Sequence, residues 1–199
     1  MKANLRTLAI AACLAVGTCA QAQGVFLRPE VTFNFASLSG SDANSLKTKD
    51  AVGYGVEAGT RFGAQDENEF GFSASMLKFS LAANNSANVV VGHIQVVPLL
   101  ANFRYYFGAK GDAVRCYVAP SAGWTNIKAD SKTYAGTTLS SFASNGSCFT
   151  WAGAVGALVK LDDRFGVDFG FRYVGALRVR LTNIKATVGT LYAGLNLRF

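Results

Sequence analysis

The chain closes on Leu191-Tyr192-Ala193-Gly194-Leu195-Asn196-Leu197-Arg198-Phe199, and the reading of that stretch decides the fold. Every second residue counted back from the end is apolar: Phe199, Leu197, Leu195, Ala193, Leu191. Apart from Tyr192, the residues between them are polar or small. A period of two marks an extended strand whose faces meet different surroundings. In a water-soluble sheet, an edge strand ending in an exposed aromatic invites pairing with other chains. The pattern makes physical sense where one face meets lipid and the strand closes a barrel, because backbone polar groups in hydrocarbon must be paired within the sheet.

The other end agrees. Residues 1–22 read as a secretory signal peptide that is removed. Lys2 and Arg6 make its positive start, Leu8 to Ala20 its apolar helix, too short to span a bilayer, and Ala20-Gln21-Ala22 its small-residue cleavage site. Cys19 does not make a lipoprotein site, since Thr18 stands where Gly or Ala is needed. About 177 residues, 23–199, then remain for one domain. Losing Lys2 and Arg6 takes the formal charge from +7 to +5. An exported chain meets no nucleic acid, so the basic balance points instead to acidic phosphates at the membrane surface.

Half the residues are hydrophobic, yet past the signal none of the apolar runs is long enough for a membrane helix. They are dispersed in alternation, with Gly and Phe abundant and Pro scarce, which suits short strands of an all-β barrel. Eight strands are expected, at about 25–37, 51–62, 69–81, 91–107, 113–125, 147–161, 165–181 and 185–199. A phase change near Met76–Leu77 predicts a bulge, and Pro98 an irregularity. Residues 38–50, 82–90 and 126–146 read as longer polar loops; 63–68, 108–112 and 162–164 read as short turns. The last hairpin, near Thr182–Ile184, is short as well. Short turns face the periplasm and longer loops face outward in bacterial barrels.

On Leu195-Asn196-Leu197-Arg198-Phe199, Asn102-Phe103-Arg104-Tyr105-Tyr106-Phe107 and Phe169-Gly170-Phe171-Arg172-Tyr173, nearly all of residues 23–199 resembles the small bacterial outer-membrane β-barrel family. That family includes the OmpX-like and opacity-porin-like proteins and the OmpA transmembrane domain. The resemblance implies an eight-stranded antiparallel up-and-down transmembrane β-barrel in the outer membrane of a Gram-negative bacterium. It also implies that Leu191, Leu195, Leu197 and Phe199 form an assembly signal for the barrel-assembly machinery. No peptidoglycan-binding domain follows, so tethering to the cell wall is unsupported.

An eight-stranded interior is just wide enough for side chains to fill. The inward residues expected from the alternation are Arg28, Glu30, Glu57, Arg61, Arg104, Asp168, Arg172, Arg178, Arg180 and Arg198. Burying these charges costs several kcal/mol apiece unless they pair, so a carboxylate–guanidinium network is expected. Antiparallel pairing suggests Glu30 near Glu57, Arg28 near Arg61 and Asp168 near Arg198, with Gly53, Gly55, Gly59 and Gly170 leaving room for long arginines. The network reads first as structural filling and second as a narrow, anion-preferring conduit.

Catalytic constellations are thin. His93 is the only histidine. Lipid A deacylases of the outer membrane use a His and a Ser two residues apart, and here that place is held by Gln95. Omptin-type proteases need ten strands and acidic–histidine pairs. No Walker loop, dinucleotide fingerprint or zinc spacing is present, and neither a metal nor a cofactor is expected. Cys116 and Cys148 survive signal removal; separated by about ten strand residues, on the order of 30 Å, they lie too far apart to pair. Lys47, Lys49, Lys128 and Lys132 lie in the loops, where they solvate the chain or meet lipopolysaccharide phosphates. Tyr54, Tyr105, Trp124, Trp151 and Tyr173 are expected in the headgroup girdles. The resulting expectation is a structural or surface-interaction barrel acting through its loops, in contact with outer-membrane lipid, lipopolysaccharide and a loop ligand. A small-solute channel and a lipid A-modifying enzyme are the alternatives, and the oligomeric state stays open.

Overall fold

The computed structural model describes residues 24–39, 46–83, 86–131, 144–178 and 185–199, with side chains except at 38–47, 81–91, 129–145 and 176–186. The signal peptide, Lys132 and Arg180 lie outside the described residues.

Alternation of apolar and polar residues becomes nine strand segments: β1 (Gly24–Ser39), β2 (Leu46–Lys49), β3 (Ala51–Phe62), β4 (Asn68–Ala83), β5 (Ser86–Tyr106), β6 (Val114–Ser131), β7 (Ser144–Lys160), β8 (Phe165–Arg178) and β9 (Lys185–Arg198). Every ladder is antiparallel, and β9 pairs with β1 to close the ring. β2 and β3 both pair with β4, in registers one residue apart, so they are two pieces of one stave interrupted at Asp50. The molecule is therefore a closed eight-stranded barrel with no open edge along the wall. The terminal LYAGLNLRF stretch is its closing stave: the main chains of Val25 and Phe199 exchange hydrogen bonds of 3.2 and 2.9 Å.

The outward face is a belt of hydrocarbon. Val31 is 60% exposed, Val52 70%, Trp124 61% and Leu191 52%. A contiguous apolar surface of this extent is unstable in water and suits a bilayer. The expected girdle aromatics Tyr54, Tyr105, Trp124, Trp151 and Tyr173 all lie on this outer face. Trp124 packs edge-on against Phe149 at 5.7 Å, and Trp151 lies 5.8 Å from Tyr173.

Several expectations change. No bulge occurs at Met76–Leu77: Glu69, Gly71, Ser73, Ser75, Leu77 and Phe79 all face inward, and the register shifts fall at Leu81–Ala83 instead. The apparent phase change arises because Leu77 and Phe79 are apolar residues that point into the lumen. Pro98 stays in register, but the ladder from β5 to β4 skips Val97 and Pro98. The β1–β9 ladder skips Arg28 and Pro29, and the β5–β6 ladder skips Ala119 and Pro120. Each of the three prolines thus sits at a break in one ladder, as a residue without an N–H must. Residues 82–90, expected as a loop, are mostly strand, with β4 ending at Ala83 and β5 starting at Ser86. Beyond the bilayer no lipid demands alternation, so polar residues continue the ladder there.

At the opposite end the turns are tight. Gly63 and Gly108 take φ of +99° and +92°, a region open to glycine. Asp162 Oδ1 accepts from the Arg164 and Phe165 amides at 2.7 Å each, closing the β7–β8 turn.

Candidate functional site

The alternation that sends hydrocarbon outward sends the intervening side chains into the barrel, and the lumen half nearer the tight turns collects the charges. Register places Arg28 opposite Glu57. Arg28 is fully buried and reaches three carboxylates: Glu57 through Nη1 at 2.8 Å, Glu69 through Nη2 at 2.7 Å and Asp168 from Nε at 3.1 Å. The last contact is an ion pair without hydrogen-bond alignment. Arg104 crosses the lumen to Glu57 at 3.1 Å and Asp168 at 2.5 Å, with its guanidinium 4.0 Å from the Tyr117 ring centroid. Arg61 Nε donates to Glu69 at 2.9 Å. The Tyr106 hydroxyl donates to Glu69 at 3.0 Å, and that of Tyr117 to Asp168 at 2.5 Å. One level above, Arg172 grips Glu30 through two parallel bonds of 2.9 and 3.0 Å.

Arg28, Arg61, Arg104 and Arg172 thus stand against Glu30, Glu57, Glu69 and Asp168, and their formal charges cancel. Forked charge-assisted bonds are what offset desolvation in such a cluster.

Toward the loop end the interior changes character. Leu77, Phe79, Val96, Leu100, Ile127, Ala152, Val174 and Val188 form one buried apolar cluster, against which Cys148 packs. Between the two zones lies a polar layer in which Thr190 donates to Asn34 at 2.8 Å and Asn102 donates to Ser73 at 2.9 Å.

Of the residues expected in the lumen, Arg28, Glu30, Glu57, Arg61, Arg104, Asp168 and Arg172 come together there. Arg198 does not join them. It lies at the turn-end mouth, because Asp168 faces Gly194 rather than Arg198. Glu57 faces Arg28 rather than Glu30, and Arg61 faces Gly24 rather than Arg28. Arg178 lies beyond a register shift between Val174 and Leu177 and stands opposite Lys185. The side chain of Arg178 lies outside the described residues, as does the whole of Arg180.

The glycines make room for other groups than expected: a Cβ on Gly59 would strike the Phe26 ring, and one on Gly170 the Tyr192 hydroxyl. Leu191, Leu195 and Phe199 are exposed on the outer face, and Leu197 is half-buried. Sequence reasoning missed Glu69, Tyr106, Arg115 and Tyr117. Their parity was readable, since each lies beside an outward residue of its own strand: Phe70, Tyr105, Cys116 and Val118.

His93 faces Ser80 across the β4–β5 ladder, with Oγ and Nδ1 3.3 Å apart. Both side chains are partly exposed on the outer face. Cys116 and Cys148 are free; Cys148 stands opposite Thr125, nine residues along β6 from Cys116. No group of three His, Cys, Asp or Glu among the described residues could hold a metal ion.

The family described as "Outer membrane protein beta-barrel domain" matches residues 8–199. None of the curated proteins matches the chain. Among solved structures it is similar in fold to Neisserial surface protein A, at 15% identity and a TM-score of 0.62, covering 88% of this chain and 97% of that one. It is also similar to OprG from Pseudomonas aeruginosa, at 15% identity and a TM-score of 0.57, covering 90% and 97%. The attachment invasion locus protein Ail of Yersinia pestis, solved with the heparin analogue sucrose octasulfate, matches at 14% identity and a TM-score of 0.51, covering 88% and 99%.

Proposed function

Given that this chain belongs to the outer-membrane β-barrel family and resides in the outer membrane of a Gram-negative bacterium, we propose that it serves as a closed structural barrel whose loop end recognises an anionic surface. The observation that carries the first half of this reading is the lumen content. A neutral cluster of buried ion pairs sits in series with a buried apolar cluster, and a hydrated ion would have to displace both. Planar-bilayer recording of the purified protein tests it: a flat baseline is expected, and a reproducible unitary conductance would select the small-solute channel instead.

The second half rests on charge. Lys49 and Lys128 are exposed toward the loop end, and Lys47 and Lys132 flank them in sequence. Lysines in this place suit lipopolysaccharide phosphates or a sulfated polysaccharide, and Ail, similar in fold, carries a heparin analogue in its crystal. Replacing the four lysines by Gln should release the protein from heparin or lipopolysaccharide resin at lower salt; unchanged retention counts against the loop reading. The barrel-assembly machinery is the partner this reading assigns to Leu191, Leu195, Leu197 and Phe199.

A catalytic role is not part of this reading. The Ser80–His93 contact is a cross-strand pair on the outer face, and His93 also stands opposite Asp130, whose side chain lies outside the described residues. Lipid A mass spectra should be the same for the native protein and His93→Ala.

A further inference from the structure

The barrel opens at the turn end into a cavity of about 960 Å³. Its inner wall carries Arg61, Arg115, Lys160 and Arg198. Arg61 is spoken for by Glu69, at 2.9 Å. Arg115, Lys160 and Arg198 form no ion pair among the described residues. Arg115 is 3% exposed, is stacked 5.0 Å from the Tyr106 ring centroid, and reaches only the main-chain oxygens of Asp66 and Gly108, at 3.2 and 3.5 Å. Its Nε is buried with no partner, and so is that of Arg198. Of the lining carboxylates, Asp66 is held by Lys110 through Oδ2 at 2.9 Å and keeps Oδ1 buried without a hydrogen bond, while Asp163 lies exposed on the turn beside Arg164. Above this mouth the charge cluster is neutral, so nothing deeper cancels the surplus.

Three cations without an ion pair, two of them with a buried orphan donor, around one cavity is a configuration that calls for an anion. The rim supplies a second clue. Val25 of β1, Phe165 of β8 and Phe199, just past β9, border the same cavity, and all three are exposed on the hydrocarbon side. A ligand seated there would have its charge at the arginines and its apolar part against the outer wall.

We propose that this mouth is a phosphate-binding site, taking the phosphate of an anionic inner-leaflet phospholipid headgroup or free phosphate itself. Arg115 and Arg198 bind as guanidinium forks and Lys160 as a point charge. Asp66 and Lys110 bound the site on the turn side.

Calorimetric titration of the protein, extracted in the phosphate-free detergent octyl glucoside, tests the proposal with two ligands: inorganic phosphate and dihexanoyl phosphatidylglycerol. Binding of the lipid alone, or of the lipid more tightly than phosphate, supports the lipid-borne source. Binding of phosphate alone supports the free anion. Arg115→Gln and Lys160→Gln should each weaken binding by roughly tenfold, and Lys78→Gln on the outer wall should leave it unchanged. Heat-modifiable gel migration checks that each variant is folded. Because Arg198 lies within the terminal strand, Arg198→Gln is read only where it passes that check, and the other two variants suffice. Absence of binding of both ligands at millimolar concentration, or binding indifferent to Arg115→Gln and Lys160→Gln, overturns the proposal.

Discussion

The two halves of this barrel's interior solve the same filling problem with opposite chemistry. Near the tight turns the space is taken by guanidinium, carboxylate and tyrosine groups; near the loops it is taken by Leu, Val, Ile and Phe. The apolar half draws its stability from transfer and close packing, which tolerate small adjustments. The ionic half gains little net free energy from its charges, since desolvation offsets most of the attraction. It responds severely, however, to the loss of one member. The comparison teaches that one lumen can combine a tolerant plug with an exacting one, and that the exacting one sits beside the mouth where unpaired cations gather.

The sharpest way to break this contrast is Asp168→Ala. Asp168 is fully buried between Arg28 and Arg104, so its loss strands positive charge, and the barrel should lose about 3–5 kcal/mol in denaturant unfolding followed by gel shift. A loss no larger than that of an apolar truncation would erase the distinction between the halves. Next in size is Leu100→Ala in the apolar cluster, expected to cost about 2–4 kcal/mol by the same assay; a negligible cost would mean that the loop-end interior is not packed.

Replacing both members of the Glu30–Arg172 pair by Met should change stability by about 1 kcal/mol or less, in either direction, while Glu30→Met alone is far worse. Additive single and double effects would show that the two groups do not act as a pair. Smallest of all is Phe199→Ala. Its ring is 77% exposed, so the assembled barrel should lose under about 1 kcal/mol. If yield in the membrane nonetheless collapses, the residue acts during assembly; if purified stability collapses instead, its role is in the fold.

The lipid-facing pattern was legible because it is local. Val25, Leu27, Val31, Phe33 and Phe35 alternate without a break, and each is exposed as the period of two requires. The terminal Leu191, Leu195 and Phe199 read the same way. The inward face was harder. Parity placed Arg28, Glu57 and Asp168 in the lumen, yet not beside their partners, because hairpin register depends on turn geometry and on ladder shifts such as that between Val174 and Leu177. Leu77 and Phe79 are ambiguous for a different reason: an apolar residue in a membrane strand suits the lipid face, and here the upper lumen is apolar too.

The sequence by itself determined that this is a strand-built barrel and which side chains meet lipid, because a period of two is a property of neighbouring residues. Only the tertiary structure decided which charges meet. Glu30 and Arg172 are 142 residues apart in the chain, and Arg104 and Asp168 are 64 apart. They touch because closing the sheet of eight staves sets β1 two staves from β8 and β5 three from β8, around a lumen narrow enough for one side chain to span. The division of the lumen into ionic and apolar halves, and the surplus of cations at its mouth, follow from that closure.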